Sequence, residues 1–211
     1  MSAMSDLRIA IPRGALFADT LDLLDRLGLR TSEVRANDRK LLFDEEGIVT
    51  MRPSDVPTYV EAGVADIGVT GKDVLMEQSE RELYELVDLG YGRCRMVLAT
   101  VAGPDRAAEA LRRLGVMRIA TKYPRVAARH FLQTGRQAEI VEVKGSVELA
   151  PVLGLVEGIV DLTATGTTLR ENGLEVREEI AECTARLIAN PVAHKLKARA
   201  LDSVLERLDA V

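Results

Sequence analysis

The order of apolar runs along this chain predicts an α/β fold in two halves. Short apolar runs bounded by turn residues alternate with longer segments of helical spacing, the pattern of parallel sheets covered by helices. The alternation runs through twice, with Gly103-Pro104 as the crossing point between the halves. Core material is ample: 47% of the 211 residues are hydrophobic, which excludes a disordered chain.

Taken in order, Leu7–Ile11 is an apolar run that meets a Pro-Arg-Gly turn at 12–14. Leu16, Leu23, Leu24 and Leu27 then recur at helical spacing, with Gly28 as the stop. Leu41–Phe43 and Ile48–Met51 read as paired strands around the turn 44–47, and a helix follows from Pro53 to Ala62. Ala65–Val69 is a buried strand, Thr70-Gly71-Lys72-Asp73 opens a helix, and Arg95–Val101 is a long strand. The second half repeats the rhythm, with helices at 104–114 and 124–133, strands at 117–121 and 138–143, and a helix beginning near Ser146. Strand 158–162 runs into Thr163–Thr168 and a helix closed by Asn172-Gly173; strands 175–180 and 184–189 follow. A final amphipathic helix, 191–208, carries Val192, Leu196, Ala200, Val204 and Leu208 as its apolar stripe. This reading assigns 1–94 plus 181–211 to one lobe, 95–180 to the other, and a ligand to the cleft between them.

Composition removes several function classes. A net charge of −5 argues against a dedicated nucleic-acid binder. With aromatics at 3% and no Trp, a base-stacking platform has little to build on. Cys94 and Cys183 lack CxxC spacing and read as two reduced, buried thiols. The N-terminal segment has no basic region leading into a long apolar core, and no run approaches the length of a membrane span, so a cytoplasmic protein is expected. His130 and His194 have no metal-ligand spacing, and neither GxxxxGK[ST] nor GxGxxG occurs.

The chemistry concentrates in Gly158–Arg170. An apolar strand ends in one acid, Asp161, and a loop of small residues then becomes the first turn of a helix. Such a turn offers unpaired backbone N–H groups to an anion. Thr163, Thr165, Thr167 and Thr168 add hydroxyls, and Ala164 and Gly166 leave room for close approach. The pattern fits a monophosphate cradle whose strand-end acid accepts from ribose hydroxyls, as in dinucleotide folds; an ordinary Thr-capped helix start uses the same residue types. Glu148 lies 13 residues before Asp161, at a predicted helix start on the same sheet edge. The two acids would converge on a vicinal diol or a bridging Mg²⁺. Cations gather at other strand ends and turns: Arg13, Arg39-Lys40, Arg52, Lys72, Arg93, Arg95, and Lys122 with Arg125. In an acidic chain these point to a polyanionic small ligand, although any single one also fits a solvated surface.

Asp161-Leu-Thr-Ala-Thr165-Gly166-Thr-Thr168 resembles the phosphoribosyl-pyrophosphate loop D-x-x-x-T-G-x-T, which type I phosphoribosyltransferases share. Five further segments resemble ATP phosphoribosyltransferase: Ile11-Pro-Arg-Gly14, Arg52–Tyr59, Asp66–Val74, Asp88–Arg95 and Gly145–Pro151. The resemblance implies the first step of histidine biosynthesis, in which ATP and phosphoribosyl pyrophosphate combine. It also implies a two-lobed fold like that of type II periplasmic binding proteins, with crossing strands between lobes. The length matches a short-form catalytic subunit, a homodimer within a hetero-oligomer that includes a regulatory subunit akin to histidyl-tRNA synthetase. Carried over by motif, Glu148, Asp161 and Thr163–Thr168 bind the sugar phosphate, Mg²⁺ arrives with the phosphates, and Arg13, Arg52 and Arg39 act in catalysis. Gly71, Lys72, Asp73, Gly90 and Tyr91 line the nucleotide pocket. The family has Lys where this chain has Arg13 and a second cation where it has Ala15, which removes Ala15 from the site. Two rival readings use the same residues: a type I phosphoribosyltransferase acting on another base, and a two-lobed anion-binding module without catalysis.

Overall fold

The computed structural model describes residues 6–209. The chain first lays down β1 (Ile9–Pro12), α1 (Phe17–Arg26), α2 (Ser32–Ala36), β2 (Leu42–Phe43) and β3 (Ile48–Met51). It continues with α3 (Val56–Glu61), β4 (Ile67–Gly71), α4 (Lys72–Glu77) and β5 (Tyr84–Asp88). The middle of the chain forms β6 (Cys94–Val101), α5 (Arg106–Leu114), β7 (Met117–Thr121), α6 (Pro124–Gln133), β8 (Ala138–Glu142) and α7 (Leu149–Val152). Then come β9 (Gly158–Thr163), α8 (Thr167–Glu171), β10 (Leu174–Cys183), β11 (Ala185–Ala189), α9 (Pro191–Leu196) and α10 (Ala198–Asp209).

These elements divide into two compact units, one running up to Gly92 and resuming at Thr184, the other Arg93–Cys183. Residues 93–94 and 181–183, expected in the first lobe, belong to the second unit. The reason is pairing: β10 extends to Cys183, with Ala181, Glu182 and Cys183 opposite Met96, Arg95 and Cys94 of β6.

The first unit is a six-stranded sheet in the order β2-β3-β1-β4-β11-β5. β1 is parallel to both β3 and β4, whereas β11 runs antiparallel to β4 and β5. Alternation along β1 sorts its side chains by face. Ile9 and Ile11 join Leu21, Phe43 and Leu201 in one core, while Ala10 packs with Val56, Val60 and Ile188 on the other side. Gly68 of β4 is required for that packing, because a Cβ there would sit 2.6 Å from the Val56 side chain.

The expected single C-terminal helix is broken at Lys197, where α9 ends and the backbone leaves helical geometry. The Lys197 ammonium is drawn to the buried Asp66 carboxylate at 2.8 Å and to the Asp6 carbonyl at 2.8 Å. As a result Ala200, Leu201 and Val204 are buried, but Val192 and Leu196, assigned to the same stripe, lie 62% and 77% exposed. Asn190 starts α9: its Oδ1 accepts from the Val192 and Ala193 N–H groups, and its Nδ2 donates to the Val60 and Glu61 carbonyls. That side chain has all four hydrogen-bonding capacities filled while buried, as an interior amide requires.

The second unit is a five-stranded sheet in the order β10-β6-β9-β7-β8. β7 is parallel to β8 and β9, and β6 lies antiparallel to both β9 and β10. Val97, Ala99, Ile159, Leu169 and Leu174 form its core with Val147, Ala150 and Val156. Among the described residues no helix is long and apolar enough to cross a membrane.

Candidate active site

Ligands of open α/β sheets bind at the carboxyl ends of parallel strands. In the second unit that edge is formed by β7 and β9, whose register pairs Thr121 with Val160. The next residues on each strand are therefore neighbours: the Lys122 ammonium lies 3.2 Å from the Asp161 carboxylate. Asp161 also accepts from the Leu162 N–H at 2.8 Å. Burial pushes its carboxyl above the usual carboxylate range; Lys122 and the Leu162 N–H pull it back, and the negative charge of Glu148 pushes it further up.

Beyond Asp161 the chain folds into a tight cradle. The buried Thr163 hydroxyl accepts from the Gly166 N–H at 2.9 Å and closes the turn. Gly166 sits at φ +75°, in the left-handed region that favours glycine, and a Cβ there would approach the Arg170 guanidinium at 3.0 Å. Arg170 braces the loop from behind, donating to the Thr165 carbonyl and the Thr167 hydroxyl, each at 3.1 Å. Among the described hydrogen bonds the N–H groups of Ala164, Thr165, Thr168 and Leu169 find no acceptor in the chain. α8 has only five residues, so local N–H groups carry the anion affinity rather than an extended helix dipole.

Glu148, Asp161, Thr163, Ala164, Thr165, Thr167 and Thr168 line one concavity of about 230 Å³. Seven separate candidates for the sugar-phosphate site thus share one surface, with Gly166 buried at the bend of the same loop. Among the described residues no cluster of three or more His, Cys, Asp or Glu side chains could hold a metal ion. The two carboxylates fit a Mg²⁺ held mainly by phosphates and water, which needs only one or two protein ligands.

In the first unit three adjacent parallel strands end in cations: Arg52 follows β3, Arg13 follows β1 and Lys72 follows β4. Their surroundings differ. Arg52 and Arg39 are exposed, and neither guanidinium makes a hydrogen bond or ion pair among the described residues. Arg13 is engaged on every side: Nε donates to the Thr50 hydroxyl at 3.0 Å, and Nη2 to the Asn37 and Lys40 carbonyls at 3.2 and 2.8 Å. Its Nη1 lies 3.7 Å from Asp38, and the guanidinium stacks over the Phe17 ring at 4.6 Å. Arg13 therefore shapes the 37–40 loop that carries Arg39. Arg13→Ala and Arg39→Ala should both lower turnover by about tenfold or more. Only Arg13→Ala should also speed amide exchange across 37–40, as hydrogen–deuterium exchange will show.

Of the nucleotide-pocket candidates, Lys72 is held by Glu85, donating to its two oxygens at 3.0 and 2.7 Å. Asp73 folds back against Gly71, where an added Cβ would lie 2.1 Å from its Oδ1. The Gly90 N–H donates to Asp88 Oδ1 at 3.0 Å. Tyr91 packs against the core of the first unit, and its hydroxyl pairs with that of Thr20 at 2.8 Å. Burial pushes its phenol up to about 12. The structure gives this ring a packing role. His130 and His194 pack edge-on against Phe131 and Tyr84, at 5.3 and 5.2 Å between ring centroids.

The chain matches the family HisG: ATP phosphoribosyltransferase over residues 52–210. An ATP phosphoribosyltransferase of Rubrobacter xylanophilus is 55% identical over 199 residues, covering 92% of this chain and 91% of that protein. The solved structure described as the ATP phosphoribosyl transferase (HisG:HisZ) complex from Thermotoga maritima contains a chain 38% identical to this one. Those two chains superpose with a TM-score of 0.80 over 97% of this chain and 96% of that one. The two-lobed α/β architecture recurs in the periplasmic aliphatic sulphonate binding protein SsuA from Escherichia coli. That protein is 14% identical, with a TM-score of 0.61 over 97% of this chain and 71% of that one, a likeness of fold alone. Sequence, fold and the acid–threonine cradle agree: this chain belongs to the ATP phosphoribosyltransferase family, whose reaction is the first step of histidine biosynthesis.

Proposed function

We propose that the chain catalyses attack by N1 of the ATP adenine on C1 of phosphoribosyl pyrophosphate. The N1–C1 bond forms as the bond from C1 to pyrophosphate breaks. The observation that carries this reading is the single concavity joining Glu148, Asp161 and the Thr163–Thr168 loop. In it the open N–H groups and threonine hydroxyls hold the 5′-phosphate, and the two carboxylates accept from the ribose hydroxyls. Adenine N1 carries a lone pair and no proton, so no side chain needs to act as base before attack. Catalysis then rests on positioning and on matching the charge that develops, positive on the ribose and negative on the departing pyrophosphate. Arg52 and Arg39 contribute exposed cations for polyphosphate, with Arg13 setting the loop that presents Arg39. Gly71–Asp73 and Gly90 serve the nucleotide. Mg²⁺, entering with the phosphates, neutralises pyrophosphate charge when bound.

The same reading makes the chain a cytoplasmic protein that pairs with a second copy and with a regulatory subunit; a similar chain is described in a HisG:HisZ complex from Thermotoga maritima. The test is pyrophosphate release from ATP and phosphoribosyl pyrophosphate, with and without a HisZ-type subunit. Release dependent on both substrates is expected. Release with orotate or a free purine in place of ATP would favour a type I phosphoribosyltransferase. Sugar-phosphate binding with no release under either condition would favour an anion-binding module.

A further inference from the structure

Cys94 opens β6 and Cys183 closes β10, and the antiparallel register sets them directly opposite one another. Opposed residues of such a pair project to the same face with Cα atoms about 4.5–5.5 Å apart. A disulfide accepts Cα separations of about 4.4–6.8 Å, so the backbone already has the spacing the bond needs. The flanking residues identify the face. Arg93 pairs with Glu182 at 2.8 Å and Arg95 with Glu179 at 3.1 Å, all four with side chains 41–70% exposed. Side chains alternate along a strand, so the intervening Cys94 points to the opposite face, together with the fully buried Met96. Cys94 is half-buried, whereas Cys183 is 1% exposed. The pair stands where the chain enters and leaves the second unit.

We propose that Cys94 and Cys183 form a reversible dithiol–disulfide pair, a modification site whose oxidant is a low-molecular-weight disulfide. The Cys94 thiolate, the more accessible of the two, attacks one sulfur of the small disulfide and expels its first thiolate, leaving a mixed disulfide on Cys94. The Cys183 thiolate then attacks the Cys94 sulfur and expels the second. The two protein thiols give up two electrons and two protons, and the small disulfide leaves as two thiols. The new bond closes nearly the whole second unit into one loop, and loops of that length gain most from cross-linking.

The experiment treats the full chain with excess oxidised glutathione and follows it by intact mass and non-reducing peptide mapping. The expected product has lost two hydrogens, joins the peptides carrying residues 94 and 183, melts higher than the reduced chain, and reverts with dithiothreitol. Cys183→Ser should stop at one glutathione on Cys94. Cys94→Ser should slow modification of Cys183 by about tenfold or more, because thiolate access controls the rate. Glutathione retained on both cysteines without a 94–183 link, disulfide-joined dimers, or equal reactivity of Cys183 in Cys94→Ser would each overturn the proposal. The wild-type peptide map needs no substitution, so it decides the question even where a serine variant fails to fold.

Discussion

Asp161→Ala is expected to weaken phosphoribosyl-pyrophosphate binding by about 100-fold or more while leaving the fold in place. A carboxylate accepting from a ribose diol makes charge-assisted hydrogen bonds of about 1.5–3 kcal/mol each, and about 1.4 kcal/mol is a factor of ten. Stability should move the other way. Burial raises the Asp161 carboxyl above its unfolded value. Ionisation therefore works against the folded state as pH rises past the ordinary carboxylate range, and at neutral pH the wild type bears that penalty. Removing the group removes the penalty, and Lys122, with 42% of its side chain exposed, can turn to water. Thr165→Ala should also lose affinity, through the hydroxyl that organises Thr167. Calorimetric titration with the sugar phosphate, paired with thermal melting, separates the two effects. Undiminished binding heats in Asp161→Ala would remove the pocket from the reaction.

Lys122→Gln is expected to make sugar-phosphate binding more sensitive to acid than it is in the wild type. Lys122 is 3.2 Å from Asp161 and is the cation that holds its carboxyl down against burial and Glu148. In the proposed role the ribose hydroxyls donate, so the binding-competent form of Asp161 is the ionised one. Without Lys122 the carboxyl takes up its proton at a higher pH, and affinity falls sooner on acidification. The ratio of variant to wild-type affinity should fall on acidification, by about tenfold at most, in line with loss of one close charge pair. Taking the ratio cancels the titration of the substrate phosphates. Lys122→Arg should restore the wild-type profile, and a ratio flat in pH would leave Lys122 with no electrostatic role.

Arg13, Tyr91 and Asp161 illustrate how unevenly the site can be read from the chain alone. Asp161 and its threonines form one continuous segment, so adjacency in sequence is adjacency in space and the cradle is legible. Arg13 belongs to a strand-end pattern that marks it as a cation near a ligand edge. Its five donors, however, face Thr50, Asn37, Asp38 and Lys40, partners more than twenty residues away that no local pattern announces. Tyr91 lies in a glycine-flanked turn whose motif assigns it to the nucleotide pocket, and its hydroxyl pairs with that of Thr20 on α1, a partner 71 residues away. Lys122 was one cation among many until the β7–β9 register put it beside Asp161.

Periodicity and turn chemistry act over ten residues or fewer, and within that range the chain specifies its own elements: the alternation of strands and helices, the turn at Gly166 and the helix start at Pro191 can all be read without coordinates. β5 escapes this reading because it is an edge strand with Tyr84 and Glu85 exposed, so no apolar alternation marks it. The break at Lys197 escapes because its cause is a buried carboxylate 131 residues distant. Strand register belongs to the same class, since it is settled only when both strands bury their faces together. Register is what sets Lys122 against Asp161 and Cys94 against Cys183.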